Sequence, residues 1–136
     1  GNDMLGRLNH VAIAVTDLKS ATNTYRDILG AKVGEPLDQP EHGVTVVFIE
    51  LPNTKVELIT PLGENSPIFN FLNKNKNGGI HHICYEVKNL EFSINILMKN
   101  NYKIIGDNPK IGAHGKPVIF LHPSGFDGTL IELQEE

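Results

Sequence analysis

The chain has 136 residues, 40% of them hydrophobic and 21% charged, which excludes a disordered or collagen-like polypeptide and leaves room for one small domain. Twelve Lys and Arg against sixteen Asp and Glu give a net charge of −4 with no basic block, excluding nucleic acid and an anionic membrane surface as general partners. Cys84 is the single cysteine, so there is no disulfide framework within the chain and no Cys-x-x-Cys zinc site, and no apolar run approaches the about 20 residues of a membrane span.

In chain order, residues 10–15 alternate, with Val11, Ile13 and Val15 on one face and His10, Ala12 and Ala14 on the other, the period of a strand backed by a helix. Thr16 or Asp17 caps the helix that follows; Leu18, Ala21, Tyr25 and Ile28 or Leu29 form its apolar stripe, and Gly30 ends it. Strands are predicted near residues 31–35, 44–51 and 54–60. Ser66-Pro67 opens a short helix through Leu72, and residues 74–79 read as a polar linker. A second strand led by His82 precedes a helix that starts at Asn89 with Leu90, Ile94, Leu97 and Met98 inward, then strands near 102–106, 117–122 and 129–134.

These elements repeat at a fixed offset of 72 positions. His10 meets His82, Asp17-Leu18 meets Asn89-Leu90, His42-Gly43 meets His114-Gly115, and residues 46–49 meet 118–121. A longer loop after Pro123 then moves the offset to 75, where Val56-Glu57-Leu58 meets Ile131-Glu132-Leu133. The expected fold is therefore α+β: a single domain over residues 5–136, built from two βαβββ modules (about 5–62 and 80–136, linker about 63–79) packed side by side around a cup.

The repeat pairs His10 with His82 and Glu57 with Glu132, all in otherwise apolar strand contexts. A strand histidine is usually a hydrogen-bonded structural residue, and a strand glutamate usually faces water. Both types recurring at matched places point instead to a shared partner, and for a carboxylate inside a sheet the strongest partner is a divalent cation. Two His and two Glu suit a five- or six-coordinate Co, Mn, Ni, Zn or Mg ion with positions open to substrate, rather than a closed tetrahedral zinc. Cys84, on the face of His82, reads as a small buried hydrophobe, His81 as structural, and Glu50 and Glu86 as solvated. His42, His114 and Lys116 sit in glycine-containing loops that are candidates for substrate contact.

The paired histidines and glutamates resemble those of the vicinal oxygen chelate superfamily, which holds a metal in a paired βαβββ fold. Residues 5–15, 41–44, 53–58, 61–68, 79–84 and 110–123 look like the methylmalonyl-CoA epimerase family of the animal mitochondrial type. That resemblance implies His10, His82 and Glu132 as metal ligands, with Glu57 as the fourth at a position where some members have Gln, and cobalt foremost among the ions. It further implies interconversion of the two epimers of methylmalonyl-CoA in propionyl-CoA catabolism, a homodimer and a mitochondrial matrix location. Proton removal and return at C2 would use Glu132 and Glu57, with His114, Lys116 and Lys110 near the CoA arm. One departure stands out: bacterial members with a proposed second carboxylate base carry Glu where this chain has Val46. The alternatives are a glyoxalase-like isomerase using the same ligand set and a non-catalytic small-molecule binder of the same fold.

Overall fold

The computed structural model describes residues 4–136 as an α+β chain. Its elements are β1 (Leu5–Ala14), α1 (Leu18–Asn23), β2 (Lys32–Val33), β3 (Leu37–Gln39), β4 (Val44–Glu50), β5 (Lys55–Pro61), α2 (Ile68–Lys74), β6 (Gly79–Val87), α3 (Leu90–Lys99), β7 (Ile104–Ile111), β8 (Pro117–Leu121) and β9 (Ile131–Glu135). Two compact units divide it: one is His10–His81, the other joins the chain up to Asn9 with His82–Glu136.

In the His10–His81 unit the strand order is β2-β4-β5-β1, with β3 also on β4. β1 runs parallel to β5, Ala12 opposite Glu57, and β4 is antiparallel to β5, Phe48 opposite Glu57. Apolar residues cover both faces. Ile13, Val15, Leu18, Ala21 and Tyr25 pack with Val47, Ile49 and Leu58 on the α1 side, while Ala12, Ala14, Val44, Val46 and Ile59 pack with Ile68, Phe71 and Leu72 of α2 on the other. Small side chains at 12 and 14 complete a face on which larger neighbours and α2 supply the bulk.

In the His82–Glu136 unit the order is β6-β9-β8-β7, and the first half of β1 borders β6. β6 is parallel to β9 with Cys84 opposite Glu132, and β8 is antiparallel to β9 with Phe120 opposite Glu132. These pairs are the Ala12–Glu57 and Phe48–Glu57 pairs moved by the same offsets of 72 and 75, so the sequence repeat is also a repeat of hydrogen-bond register. The helix starts repeat as well: Asp17 Oδ1 accepts from Ser20 N at 3.0 Å and Asn89 Oδ1 from Phe92 N at 2.9 Å, which satisfies an otherwise orphan amide in each. Val87, Leu90, Leu97, Ile119, Leu121, Ile131 and Leu133 form this unit's core beneath α3.

Several local expectations need correction. Ile28 and Leu29 are exposed because α1 continues as a π-helical turn over Thr24–Ile28, with Leu29 N bonded to Thr24 O, and the wider turn rotates both residues off the inward stripe. Met98 is also exposed; of the four apolar residues expected inward, Leu90, Ile94 and Leu97 face the core. β3 was not predicted, since Leu37-Asp-Gln offers no alternation. β7 runs to Ile111 through Gly106 and Pro109 because its pairing with β8 is irregular between Ile105 and Lys110, a break that tolerates both residues. The linker ends in a close approach: Gly78, at φ +83°, lies where a Cβ would stand 2.5 Å from the Ala14 carbonyl oxygen.

Candidate metal centre

Each unit carries one buried histidine–glutamate pair. In the His10–His81 unit, His10, Ala12 and Ala14 share a face of β1, and the register puts Glu57 of β5 on the same face with Ile59, Val46 and Phe48 around it. His10 Nδ1 lies 3.0 Å from Glu57 Oε2, and the two residues are 2% and 4% exposed. In the other unit His82 Nε2 lies 3.0 Å from Glu132 Oε1, at 7% and 6% exposure. The His82 ring meets Phe120 edge to face at 5.3 Å, which fixes its plane.

Burying a carboxylate in an apolar strand costs several kcal/mol unless a cation or strong donors meet it, on the order of the penalty known for isolated buried ions. One imidazole beside each carboxylate meets part of that demand. The spacing also fits a shared ion: two donors each about 2.1 Å from a metal and at right angles stand about 3.0 Å apart. Two imidazoles and two carboxylates are an N/O set suited to a divalent cation, and they carry no redox function of their own.

The two pairs sit in different surroundings. Around Glu57 the neighbours on its face are Ala12, Ile59, Val46 and Phe48. Around Glu132 they are Phe120 and Cys84, whose Sγ comes within 4.8 Å of a Glu132 oxygen, and the buried Gln134 lies two residues along the same strand face. Val46 is buried at 2% exposure and offers only a hydrocarbon surface at its position.

The β7–β8 hairpin holds the remaining candidates. Lys110 is exposed on β7, opposite Val118; His114, half-buried, and exposed Lys116 occupy the turn closed by Gly115 N to Gly112 O and Gly112 N to Lys116 O. His42 ends a short 3-10 turn whose next residue, Gly43, is left-handed at φ +67° and has its carbonyl held by the Ser66 hydroxyl. Glu50 is exposed at the end of β4, as expected, and His81 packs edge to face on Phe71 at 5.1 Å. Glu86 is a correction. Instead of facing water it accepts a 2.9 Å hydrogen bond from Asn9 Nδ2, with Arg7 at 3.9 Å, because side-chain-free Gly6 lets β1 come close to the Glu86 backbone. Sequence reading missed Asn9 and Gln134 as buried polar residues; the usable signal for each was its position in a strand next to, or two residues from, a candidate ligand.

Comparison with known proteins gives the family and the fold. The sequence pattern of the Glyoxalase/Bleomycin resistance protein/Dioxygenase superfamily matches residues 9–120. The ethylmalonyl-CoA/methylmalonyl-CoA epimerase of Cereibacter sphaeroides is 60% identical over 133 residues, 97% of this chain and 99% of that one. The mitochondrial methylmalonyl-CoA epimerase of Bos taurus is 57% identical over 131 residues, 96% of this chain and 75% of that one. Among solved structures, a methylmalonyl-CoA epimerase in complex with methylmalonyl-CoA and NH4+ superposes with a TM-score of 0.89 at 27% identity, covering 97% of this chain and 95% of that one.

Proposed function

This chain belongs to the glyoxalase/bleomycin resistance protein/dioxygenase superfamily and, within it, to the methylmalonyl-CoA epimerases, and we propose that its two His–Glu pairs together hold the divalent metal of that reaction. It is an isomerase, and its substrate is methylmalonyl-CoA. The observation that carries the metal reading is the duplicated pair itself: His10 with Glu57 and His82 with Glu132, each at 3.0 Å and each out of water. Cobalt is the ion we expect first, with Mn, Ni, Zn and Mg as competitors, since the N/O donors suit all five.

Epimerisation removes the C2 proton beside the thioester and returns one to the opposite face. A bound divalent ion supplies Lewis-acid stabilisation of the negative charge that develops on the substrate oxygens. The chain must supply two proton carriers, and Glu132 and Glu57 are the pair we assign: one accepts the C2 proton while the other donates to the opposite face. Strand placement serves this duty, since buried carboxylates on paired strands hold their direction better than loop residues would. Val46 offers no carboxylate at its position, and this supports our assignment of the second proton carrier to Glu57. His114, Lys116 and Lys110 on the β7–β8 hairpin are the positive and polar groups we assign to the anionic CoA arm; the net charge of −4 gives that arm no long-range attraction.

The names of the animal relatives support a mitochondrial location, for which we expect the matrix, while an equally similar bacterial relative supports function in a cell without mitochondria; the homodimer is our expectation from the resemblance alone. Fractionation of the source cells and sedimentation of the purified chain decide these two points. For the reaction itself, the metal-loaded protein is given each epimer of methylmalonyl-CoA and, separately, the glutathione hemithioacetal of methylglyoxal. Conversion of the CoA ester alone supports the proposal. Conversion of the hemithioacetal alone would replace it with a glyoxalase reading.

A further inference from the structure

We propose that Glu86 is a positioning residue for His10, acting through Asn9; this rests on the reading of His10 as a metal ligand. Asn9 is 4% exposed, and its Nδ2 donates to Glu86 Oε2 at 2.9 Å. His10 is the next residue of the same strand and turns to the opposite face, where it meets Glu57. Holding the amide of residue 9 therefore fixes the backbone from which the imidazole of residue 10 projects.

Three features make this more than an ordinary surface contact. The bond is charge-assisted, with the carboxylate side chain of Glu86 17% exposed, and so stronger than a neutral pair in water. Gly6 makes the close approach possible, since a Cβ there would stand 3.3 Å from the Glu86 carbonyl oxygen. The repeat supplies the same device in different chemistry: position 81, the counterpart of Asn9, is a histidine in a T-shaped contact with Phe71, and it precedes His82. Each candidate ligand histidine thus follows a residue held by its own partner. Arg7, 73% exposed and 3.9 Å from Glu86, contributes little to the arrangement.

The test uses the intact chain with Co2+ alone as the probe, read by the visible absorption of the bound ion, and the ring signals of His10 in the metal-free protein, read by NMR. Glu86→Ala is expected to weaken Co2+ binding about 10-fold, the usual effect of losing a group that orients a ligand, and to displace the His10 ring signals. Glu86→Gln, which still accepts from Asn9, restores both, and Arg7→Ala changes neither. Should Glu86→Ala fail to fold, Asn9→Leu removes the donor at similar volume and takes its place. A variant that loses thermal stability while Co2+ affinity and the His10 signals stay as in the unaltered chain overturns the proposal. If the unaltered chain binds no Co2+, the metal reading falls, and the metal-free His10 signals still decide whether Glu86 positions the ring.

Discussion

Glu57 and Glu132 occupy matched places but not matched environments. Within its own unit Glu57 shares its sheet face with His10, Ala12, Ile59, Val46 and Phe48, whereas Glu132 shares its own with His82, Cys84, Phe120 and Gln134. A carboxylate firmly bound to a cation is a weak base, so the two duties assigned to each residue compete, and substitution separates them. Glu57→Gln keeps an oxygen donor and loses the proton carrier. We expect it to retain Co2+ and to lose at least about 100-fold in turnover, the lower range for a general acid or base, measured by metal analysis alongside initial rates. Loss of the metal as well would make Glu57 chiefly a ligand. The two His–Glu pairs were legible in the sequence because His10, Glu57, His82 and Glu132 interrupt apolar strands at repeat-related positions. Asn9 and Glu86 were not legible, since their contact depends on two strands coming close at Gly6, and a glycine in a strand carries no label for what approaches it.

At the scale of elements the two modules are built by the same devices. Asp17 and Asn89 cap α1 and α3 with the same acceptor geometry, at φ −137° and −138°. Asp17→Ala and Asn89→Ala are each expected to cost about 1 kcal/mol in urea unfolding; an effect at one cap alone would mean that only that helix start depends on its side chain. Gly78 tests the linker. Its left-handed backbone costs about 1–2 kcal/mol for any L side chain, and the Ala14 carbonyl adds a steric clash, so Gly78→Ala should exceed either cap variant in destabilisation. Element identity was readable from period and caps. Helix register past Thr24 was not, because the π turn follows from how the segment packs and not from the apolar spacing of Tyr25, Ile28 and Leu29.

At the scale of the molecule, folding this chain buries two carboxylates, each beside a histidine, and the proposed function gives them a divalent cation as partner. Metal binding should therefore be linked to stability as well as to activity. With free metal at 100 times its dissociation constant the gain is about 2.7 kcal/mol, so chelation should lower the melting temperature by several degrees, and readdition of Co2+ should restore it. An unchanged melting temperature on chelation would contradict a metal held by these buried residues. The duplicated βαβββ order was the most legible feature of the chain, since an offset of 72, moving to 75 after Pro123, runs through strands, caps and both His–Glu pairs.

The central claim is metal-dependent proton transfer at C2, and the most direct measurement is incubation of the metal-loaded protein with methylmalonyl-CoA in D2O. The account predicts deuterium at C2 together with interconversion of the two epimers, both lost on chelation and both lost in Glu132→Ala. Absence of exchange with metal demonstrably bound, or exchange that survives Glu132→Ala unchanged, would contradict it.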